Sequence, residues 1–578
     1  MKKVTRIAAF LLAVLMLSAC GVTPMETVKE EHPAENAPMV ALVPLDDRPN
    51  NVECMEYLAQ SLGYELLMPD ADTYATRLNY QPLNSNGTKY GDRAALYEWI
   101  SDCESAGCDR YIIFMDQLLS GGLVNSRAMS GSEPVSLPDG TVMTEKELMQ
   151  SIIELLGSDK NNCVFLLDTV MRLAPTVDYE QWTLDDYKNV REWASVPRAE
   201  TDNEPGAIIA GYCTGKDGKE ITPADYGVSE DKLNEYLLAR QRKMELSSDM
   251  LKMLGGYDDV FSVLMGIDDS SEENCIQKNE IKYFESCLRE NDALISGVDD
   301  MGYKALAKLY LDETGWQGTE ADVQYFGGNE NLPSSAYDFR PLNEVVEEHF
   351  KYFNLRSADD AGLCFIVLTT PADETQKNSY LKSFFSAIEE AFNENKSVVL
   401  MDASNGAYGD ELRKKLIKNV ELGRFISYAG TLDLANLTGV AVSHGVSRYA
   451  LLQNGDETEI TQRGFERCMA DVLIKDLCYR TVVRAETTDY VIKAGGNPDN
   501  FCNPEINEDD ILSYAVASLD KLTPKLIKNL YSSNMITSLE PYTEAGWGGV
   551  ELSNYRFPWH RTFELTFDVN VGNVSEVH

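Results

Sequence analysis

Residues 42–49 read LVPLDDRP, an apolar run that ends in two adjacent aspartates, an arginine and a proline. The pattern recurs twice: the run VLMGI leads into Asp268 and Asp269, and the run LISGV leads into Asp299 and Asp300. Short apolar runs bounded by polar residues are typical of strands that are buried in a parallel sheet. The three aspartate pairs therefore mark the predicted carboxyl ends of three strands.

Single aspartates close three more apolar runs, at Asp116, Asp168 and Asp402. A single aspartate after a strand has a local explanation, because it is a good N-cap for the next helix. A pair has one carboxylate more than a cap requires. The paired acids are therefore the stronger indication of a functional site.

The strand-like runs, about ten in all, alternate with segments of helical periodicity, which predicts an α/β fold with a parallel β/α core. Both a barrel and two doubly wound halves fit this alternation. We expect the core over residues 39–455, with a helical insertion at about 179–254. Residues 456–578 are expected to be helical and to end in a small β element, since residues 563–571 alternate strictly between apolar and polar.

The first 20 residues are predicted to be a signal peptide. A basic start precedes the apolar run at residues 7–17, which is too short to span a bilayer. The following LSAC resembles the lipobox of bacterial lipoproteins, which makes Cys20 the expected lipidated residue. Residues 21–38 are rich in proline and glutamate and are expected to form a flexible tether. We therefore expect an extracytoplasmic protein, anchored to the membrane by lipid on Cys20.

The composition argues against several classes of function. The net charge of −42 would repel the phosphate backbone of nucleic acids. The sequence has no Gly-x-x-x-x-Gly-Lys-Ser/Thr motif for nucleotide phosphates. It also has no Cys-x-x-Cys pair, so zinc-ribbon and thioredoxin-like chemistry find no support.

In parallel α/β folds, ligands bind outside the carboxyl ends of the strands. Converging carboxylates raise one another's pKa, so that one can act as a general acid beside an ionised partner. We expect Asp268 and Asp269 to be catalytic, with Asp299 and Asp300 as the rival pair.

Arginines accompany the acids, and an arginine can hold a carboxylate ionised or bind an anionic group of a substrate. Together with further strand-end residues, they form the predicted substrate-binding set: Asp46, Asp47, Arg48, Asp116, Arg127, Arg172, Asp402 and Asn405.

Four stretches resemble a bacterial family known as domain of unknown function 4127. They are PLDDRPN at residues 44–50, MDQLLSGGLVNSR at 115–127, VMRLAP at 170–175 and FPWHRTFE at 557–564. The resemblance extends over most of the chain and implies family membership, but no particular activity.

The leading functional hypothesis is a glycan-acting hydrolase, specifically a glycosidase, because paired carboxylates suffice for glycoside hydrolysis. It needs no cofactor, and its ligand would be a carbohydrate or another small polar molecule. One alternative is a non-catalytic solute- or glycan-binding lipoprotein. Another is a metal-dependent hydrolase with an all-oxygen site for Mg²⁺ or Ca²⁺.

Overall fold

The structure, a computed structural model, describes residues 37–271, 274–333, 335–430, 434–502 and 506–574. The predicted signal peptide, its lipid-acceptor cysteine and all but the last two residues of the predicted tether lie outside the described residues. No helix in the described part of the chain has the length and apolar character needed to cross a membrane.

The strands in chain order are β1 (Met39–Val43), β2 (Glu65–Leu67), β3 (Arg110–Phe114), β4 (Val135–Ser136), β5 (Val142–Met143), β6 (Cys163–Val170), β7 (Phe261–Ile267), β8 (Ala293–Ser296), β9 (Thr319–Phe326), β10 (Leu355–Ser357), β11 (Leu363–Thr369), β12 (Ser397–Ala403), β13 (Ser427–Gly430), β14 (Asn534–Leu539), β15 (Tyr542–Gly546), β16 (Gly548–Arg556) and β17 (Thr566–Val574).

The α-helices are α1 (Glu53–Ser61), α2 (Arg93–Ser105), α3 (Met115–Ser120), α4 (Leu123–Ser126), α5 (Glu145–Gly157), α6 (Leu184–Ser195), α7 (Pro205–Gly211), α8 (Glu230–Met253), α9 (Lys278–Cys287), α10 (Met301–Glu313), α11 (Leu342–Tyr352), α12 (Lys377–Asn393), α13 (Gly409–Asn419), α14 (Leu434–Asn454), α15 (Glu459–Ile474), α16 (Arg484–Lys493), α17 (Glu508–Leu519) and α18 (Thr523–Tyr531). A π-helical segment, Lys475–Val483, continues α15.

Two separate parallel sheets form the core. The first has the strand order β2-β1-β3-β6-β7-β8 and the second has the order β10-β9-β11-β12-β13. In the first sheet, β2 lies on one side of β1 and the later strands follow on the other side. In the second sheet, β10 lies on one side of β9 and the later strands again follow on the other side. This is a doubly wound order. The predicted α/β fold is confirmed, and of its two forms the structure has the two halves and not the barrel.

The strands are buried because nearly every residue in them is apolar. All seven residues of β11 are buried, as are all seven of β12, which shows that both faces of the second sheet are covered. The two sheets share one apolar core, to which β1, β11 and the helices α10 and α14 between them contribute. The two halves are therefore packed together through a common helical layer.

The predicted helical insertion lies between β6 and β7 and contains α6, α7 and α8. Helix α8 is joined to the first sheet by ion pairs. Lys243 Nζ donates to Asp116 Oδ1 at 2.7 Å and also to Asp168, and all three side chains are buried. A second ion pair joins α8 to helix α9, where Arg240 Nε donates to Glu280 Oε1 at 2.7 Å. Charges in the interior thus fix the position of the insertion on the sheet.

The last part of the chain packs against the outer face of the second sheet and ends in antiparallel strand pairs, β14 with β15 and β16 with β17. The alternating residues at 563–571 fall largely in β17, which begins at Thr566. The eleven cysteines in the described residues are all free thiols.

We expect Lys243→Met to lower the free energy of unfolding by about 3–5 kcal/mol, because it leaves two buried carboxylates without their cation. The measurement is urea denaturation followed by tryptophan fluorescence. Lys146→Met is the matched control, since Lys146 is 57% exposed and pairs with Asp249 at 2.7 Å on the surface. Its expected cost is below about 1 kcal/mol. Equal losses in the two variants would contradict the stabilising role of the buried triad.

Candidate functional site

Arg48 is the centre of the site and holds two carboxylates from distant parts of the chain. Its backbone N–H and Nε donate to Asp46 Oδ1 at 3.0 and 2.9 Å. Its Nη1 and Nη2 donate to the two oxygens of Asp299 at 2.8 and 2.6 Å. Asp46 is fully buried, and Asn51 donates to it as well, so Asp46 fixes the arginine from the interior.

Asp299 is held in place from the second half of the molecule. Asn436, in helix α14, accepts from the backbone N–H groups of Val298 and Asp299 at 3.1 Å each. Burial raises the pKa of Asp299, the negative charges of Asp46 and Asp268 raise it further, and Arg48 opposes them. Asp299 therefore binds a proton more readily than an ordinary aspartate does.

Asp268 and Asp269 follow β7 and are each paired with an arginine. Arg127 Nη2 donates to Asp268 Oδ2, and Arg172 Nη1 donates to Asp269 Oδ2 at 3.3 Å. The side chain of Asp268 is 8% exposed and that of Asp269 is 30% exposed. Of this pair, Asp269 is the carboxylate that faces the open space.

Residues 557–565 cover the site from the carboxyl-terminal part of the chain. Trp559 Nε1 donates to Asp47 Oδ1 at 2.7 Å, and Gln81 Nε2 donates to the carbonyl oxygen of Trp559 at 3.0 Å. The guanidinium of Arg48 lies 4.9 Å from the centre of the Trp559 ring. The predicted substrate residue Asp47 therefore holds this covering segment in place.

Two adjoining cavities form a continuous cleft at the carboxyl ends of the first sheet. The larger, of about 410 Å³, contains Arg127, Arg172, Asp268 and Asp269 in its wall. The smaller, of about 190 Å³, is lined by Lys475, Tyr479, Arg480, Arg484 and Asn405, among others. The two cavities share Arg48, Asp299, Asn436 and Phe563.

The structure does not bring Asp300 into the cleft. Its carboxylate is completely buried and lies 2.8 Å from Lys304 Nζ. Helix α14 packs so closely here that a Cβ atom at Gly439 would lie 1.4 Å from Asp300 Oδ2. Asp299 and Asp300 therefore have separate roles, the first in the cleft and the second in the interior.

Two further predicted residues lie apart from the cleft. Asp116 belongs to the buried triad with Lys243, and burial raises its pKa. Asp402, the penultimate residue of β12, accepts from Ser404 Oγ at 2.6 Å, and burial raises its pKa too. Asp402 ends a strand of the second sheet, whereas most of the predicted acids follow strands of the first.

Sequence reasoning missed the cations of the smaller cavity and the role of residues 557–565. Lys475, Tyr479 and Arg480 lie in the π-helical segment, for which the apolar periodicity gave no signal. The covering residues had a signal, because FPWHRTFE is one of the four stretches that carry the family resemblance.

In the described residues, no group of three or more His, Cys, Asp or Glu side chains is arranged to hold a metal ion.

Comparison with protein families finds a match over most of the chain. Residues 40–568 match the model of a family described as protein of unknown function (DUF4127). The chain belongs to this family. The match includes the aspartates of the cleft, the insertion and the covering segment. No curated protein matches the chain.

The half-buried Asp47 predicts a pH dependence of the stability. Burial raises its pKa from 3.8 to about 6, the charge of Asp46 adds to the rise, and Arg77 and Trp559 oppose it. A carboxyl whose pKa is higher in the folded state stabilises the fold fully below its unfolded pKa. That contribution is lost as the pH rises through the folded pKa. A rise from 3.8 to about 6 corresponds to roughly 3 kcal/mol.

We therefore expect Asp47→Asn to gain stability relative to the wild type between pH 4 and pH 7, and the difference to be constant above pH 7. The measurement is the urea midpoint of both proteins across this range. A difference that does not change with pH would contradict the raised pKa.

Proposed function

We propose that this protein hydrolyses glycosidic bonds with Asp299 as the proton donor and Asp269 as the second carboxylate. The observation that carries the proposal is their common position. Each follows the end of one of two neighbouring strands, each is about 30% exposed (28% and 30%), and both line the larger cavity. The catalytic pair thus takes one member from each aspartate pair of the sequence.

The surroundings of Asp299 support the role of acid. Burial raises the pKa of Asp299 against the opposing charge of Arg48. This is the direction that a general acid needs, since it must carry the proton that it delivers to the leaving oxygen as the C–O bond breaks. Asp269 would attack the anomeric carbon or remove a proton from the attacking water. Asp268, held by Arg127, would position Asp269, whose backbone N–H donates to Asp268 Oδ1 at 2.8 Å. Arg172 holds the Asp269 carboxylate itself.

Aromatic side chains support a sugar as the ligand. Phe563 and Tyr337 are 44% and 39% exposed, and both line the larger cavity. Tyr187 lies beside Arg172, whose guanidinium is 5.8 Å from its ring centre. Apolar ring faces beside a few convergent polar groups are typical of small-molecule sites.

One observation favours a binding protein as the second candidate: the three strand-end carboxylates of the cleft, Asp268, Asp269 and Asp299, each already have an arginine partner. Such a protein would hold a carbohydrate without cleaving it. In the metal-dependent alternative, Mg²⁺ or Ca²⁺ would have to replace these arginines as the partner of the same oxygens.

A panel of aryl glycosides, assayed with and without EDTA, tests the three readings. We expect turnover that EDTA leaves unchanged. We expect Asp299→Asn and Asp269→Asn to lower kcat by at least about 100-fold, because each removes a group that moves a proton or attacks the substrate. Asp359→Asn is the control, because Asp359 is exposed and lies far along the sequence from both proposed catalytic residues. It should keep full activity.

The pH profile of the activity tests the role of Asp299. Activity should fall as the pH rises through the pKa of Asp299, since the donor must be protonated. Saturable sugar binding without turnover on any glycoside would overturn the hydrolase and favour the binding protein. Turnover that EDTA abolishes would favour the metal-dependent hydrolase.

The proposal also includes a location outside the cytoplasmic membrane, with the anchor on Cys20, which rests on the signal-like residues 1–20. We expect metabolic labelling with a fatty-acid analogue to mark the wild type and not Cys20→Ser. The control is Cys502→Ser, which removes a thiol near the other end of the chain. Equal labelling of Cys20→Ser and the wild type would contradict the anchor.

A further inference from the structure

The smaller cavity has a wall of cations. Lys475, Arg480 and Arg484 all line it, and Arg48 lies at its junction with the larger cavity. Lys475 and Arg480 belong to the π-helical segment Lys475–Val483, and Arg484 begins helix α16. A chain with a net charge of −42 thus presents positive side chains at this cavity.

The counter-charges of two of these cations lie behind the wall. Lys475 Nζ is 2.7 Å from Asp471 Oδ1, and the Asp471 side chain is 1% exposed. Arg480 Nη1 donates to Asp476, whose side chain is completely buried. Neither aspartate lines the cavity. Among the described residues, the two carboxylates that do line the cavity, Asp299 and Glu564, are paired with Arg48 and Arg561. A ligand there therefore meets Lys475 and Arg480, whose own partner carboxylates lie in the interior.

Arg484 differs from its neighbours. Among the described residues no carboxylate is within ion-pair distance of it, and its guanidinium lies 4.1 Å from the centre of the Phe563 ring. Glu564 is near enough for its charge to act on Arg484, but Arg561 occupies both of its oxygens, at 2.7 and 2.5 Å. Burial lowers the pKa of Arg484, as expected for a desolvated cation without a close counter-charge.

We propose that Arg484, with Lys475 and Arg480 behind it, forms a subsite for an oxyanion carried by the sugar ligand. A guanidinium presents parallel N–H donors that match the two oxygens of a carboxylate or phosphate, and such pairs are stronger than neutral hydrogen bonds. The subsite adjoins the proton donor, because Arg48 and Asp299 belong to both cavities. This inference rests on the proposed function in taking the ligand to be a sugar.

The geometry thus names a substrate class, namely acidic glycans. The anionic substituent would lie against Arg484, and the rest of the sugar would extend past Asp299 toward Asp269. The overall negative charge of the chain does not oppose this at close range, because exposed charges more than about 8 Å away are largely screened at physiological salt.

Isothermal titration calorimetry with D-glucuronate, D-glucose 6-phosphate and D-glucose tests the subsite. We expect the wild type to bind at least one anionic sugar about 10-fold or more tightly than glucose, a difference of about 1.4 kcal/mol. The carboxylate and phosphate arms show which oxyanion is preferred. Arg484→Gln should bring the anionic sugars to within about twofold of glucose, and Arg484→Lys should keep part of the preference.

The control is Lys414→Gln, which removes one exposed positive charge from the surface and should leave all three affinities unchanged. Circular dichroism establishes that the variants are folded. The proposal is overturned if the wild type binds neither anionic sugar more tightly than glucose, or if Arg484→Gln keeps the full preference.

Binding is measured here without turnover, so the two proposals fail separately. A protein that cleaves no glycoside but prefers anionic sugars through Arg484 retains the subsite and loses the hydrolase. A protein that cleaves glycosides but binds neither anionic sugar more tightly than glucose retains the hydrolase and loses the subsite.

Discussion

The shared ion pair of Arg48 is the interaction on which the cleft depends. Strands β1 and β8 are separated in the sheet by β3, β6 and β7, so strand pairing does not bring their ends together. The bidentate bond from Arg48 to Asp299 does, across 251 positions of sequence. Asp46 fixes the arginine from the interior, and Asn436 fixes the backbone of Asp299 from the other half of the molecule. The proposed proton donor therefore depends on contacts from both halves.

Adjacent aspartates have different roles in this fold because neighbouring residues direct their side chains to different sides of the chain. Asp299 reaches the cleft while Asp300 pairs with Lys304 inside, and Asp268 is far more covered than Asp269. Three of these four carboxylates still contribute to one cleft. A lone buried charge is costly, and all four of these carboxylates have a basic partner.

The same requirement explains how an acidic chain forms a positive cavity. Asp471 and Asp476 neutralise Lys475 and Arg480 from the interior, and both of these cationic residues line the cavity. The wider turn of a π-helical segment often occurs at functional sites, and here it carries three residues of that wall. The covering residues 557–565 complete the cleft with aromatic rings and a further arginine.

The sequence alone determined the α/β fold, since apolar runs such as that before Asp46 alternate with segments of helical periodicity, which is typical of buried parallel strands joined by helices. It also located the acids, because Asp268, Asp269 and Asp299 follow such runs. Whether the strands form a barrel or two sheets was a matter of which strands pair, and periodicity within one strand contains no information about its neighbours. Tertiary structure also decided that Asp116, Asp300 and Asp402 face the interior and that Arg484 faces a cavity. The physical reason is that these outcomes depend on which elements pack against one another in the folded chain, whereas strand formation depends on adjacent residues.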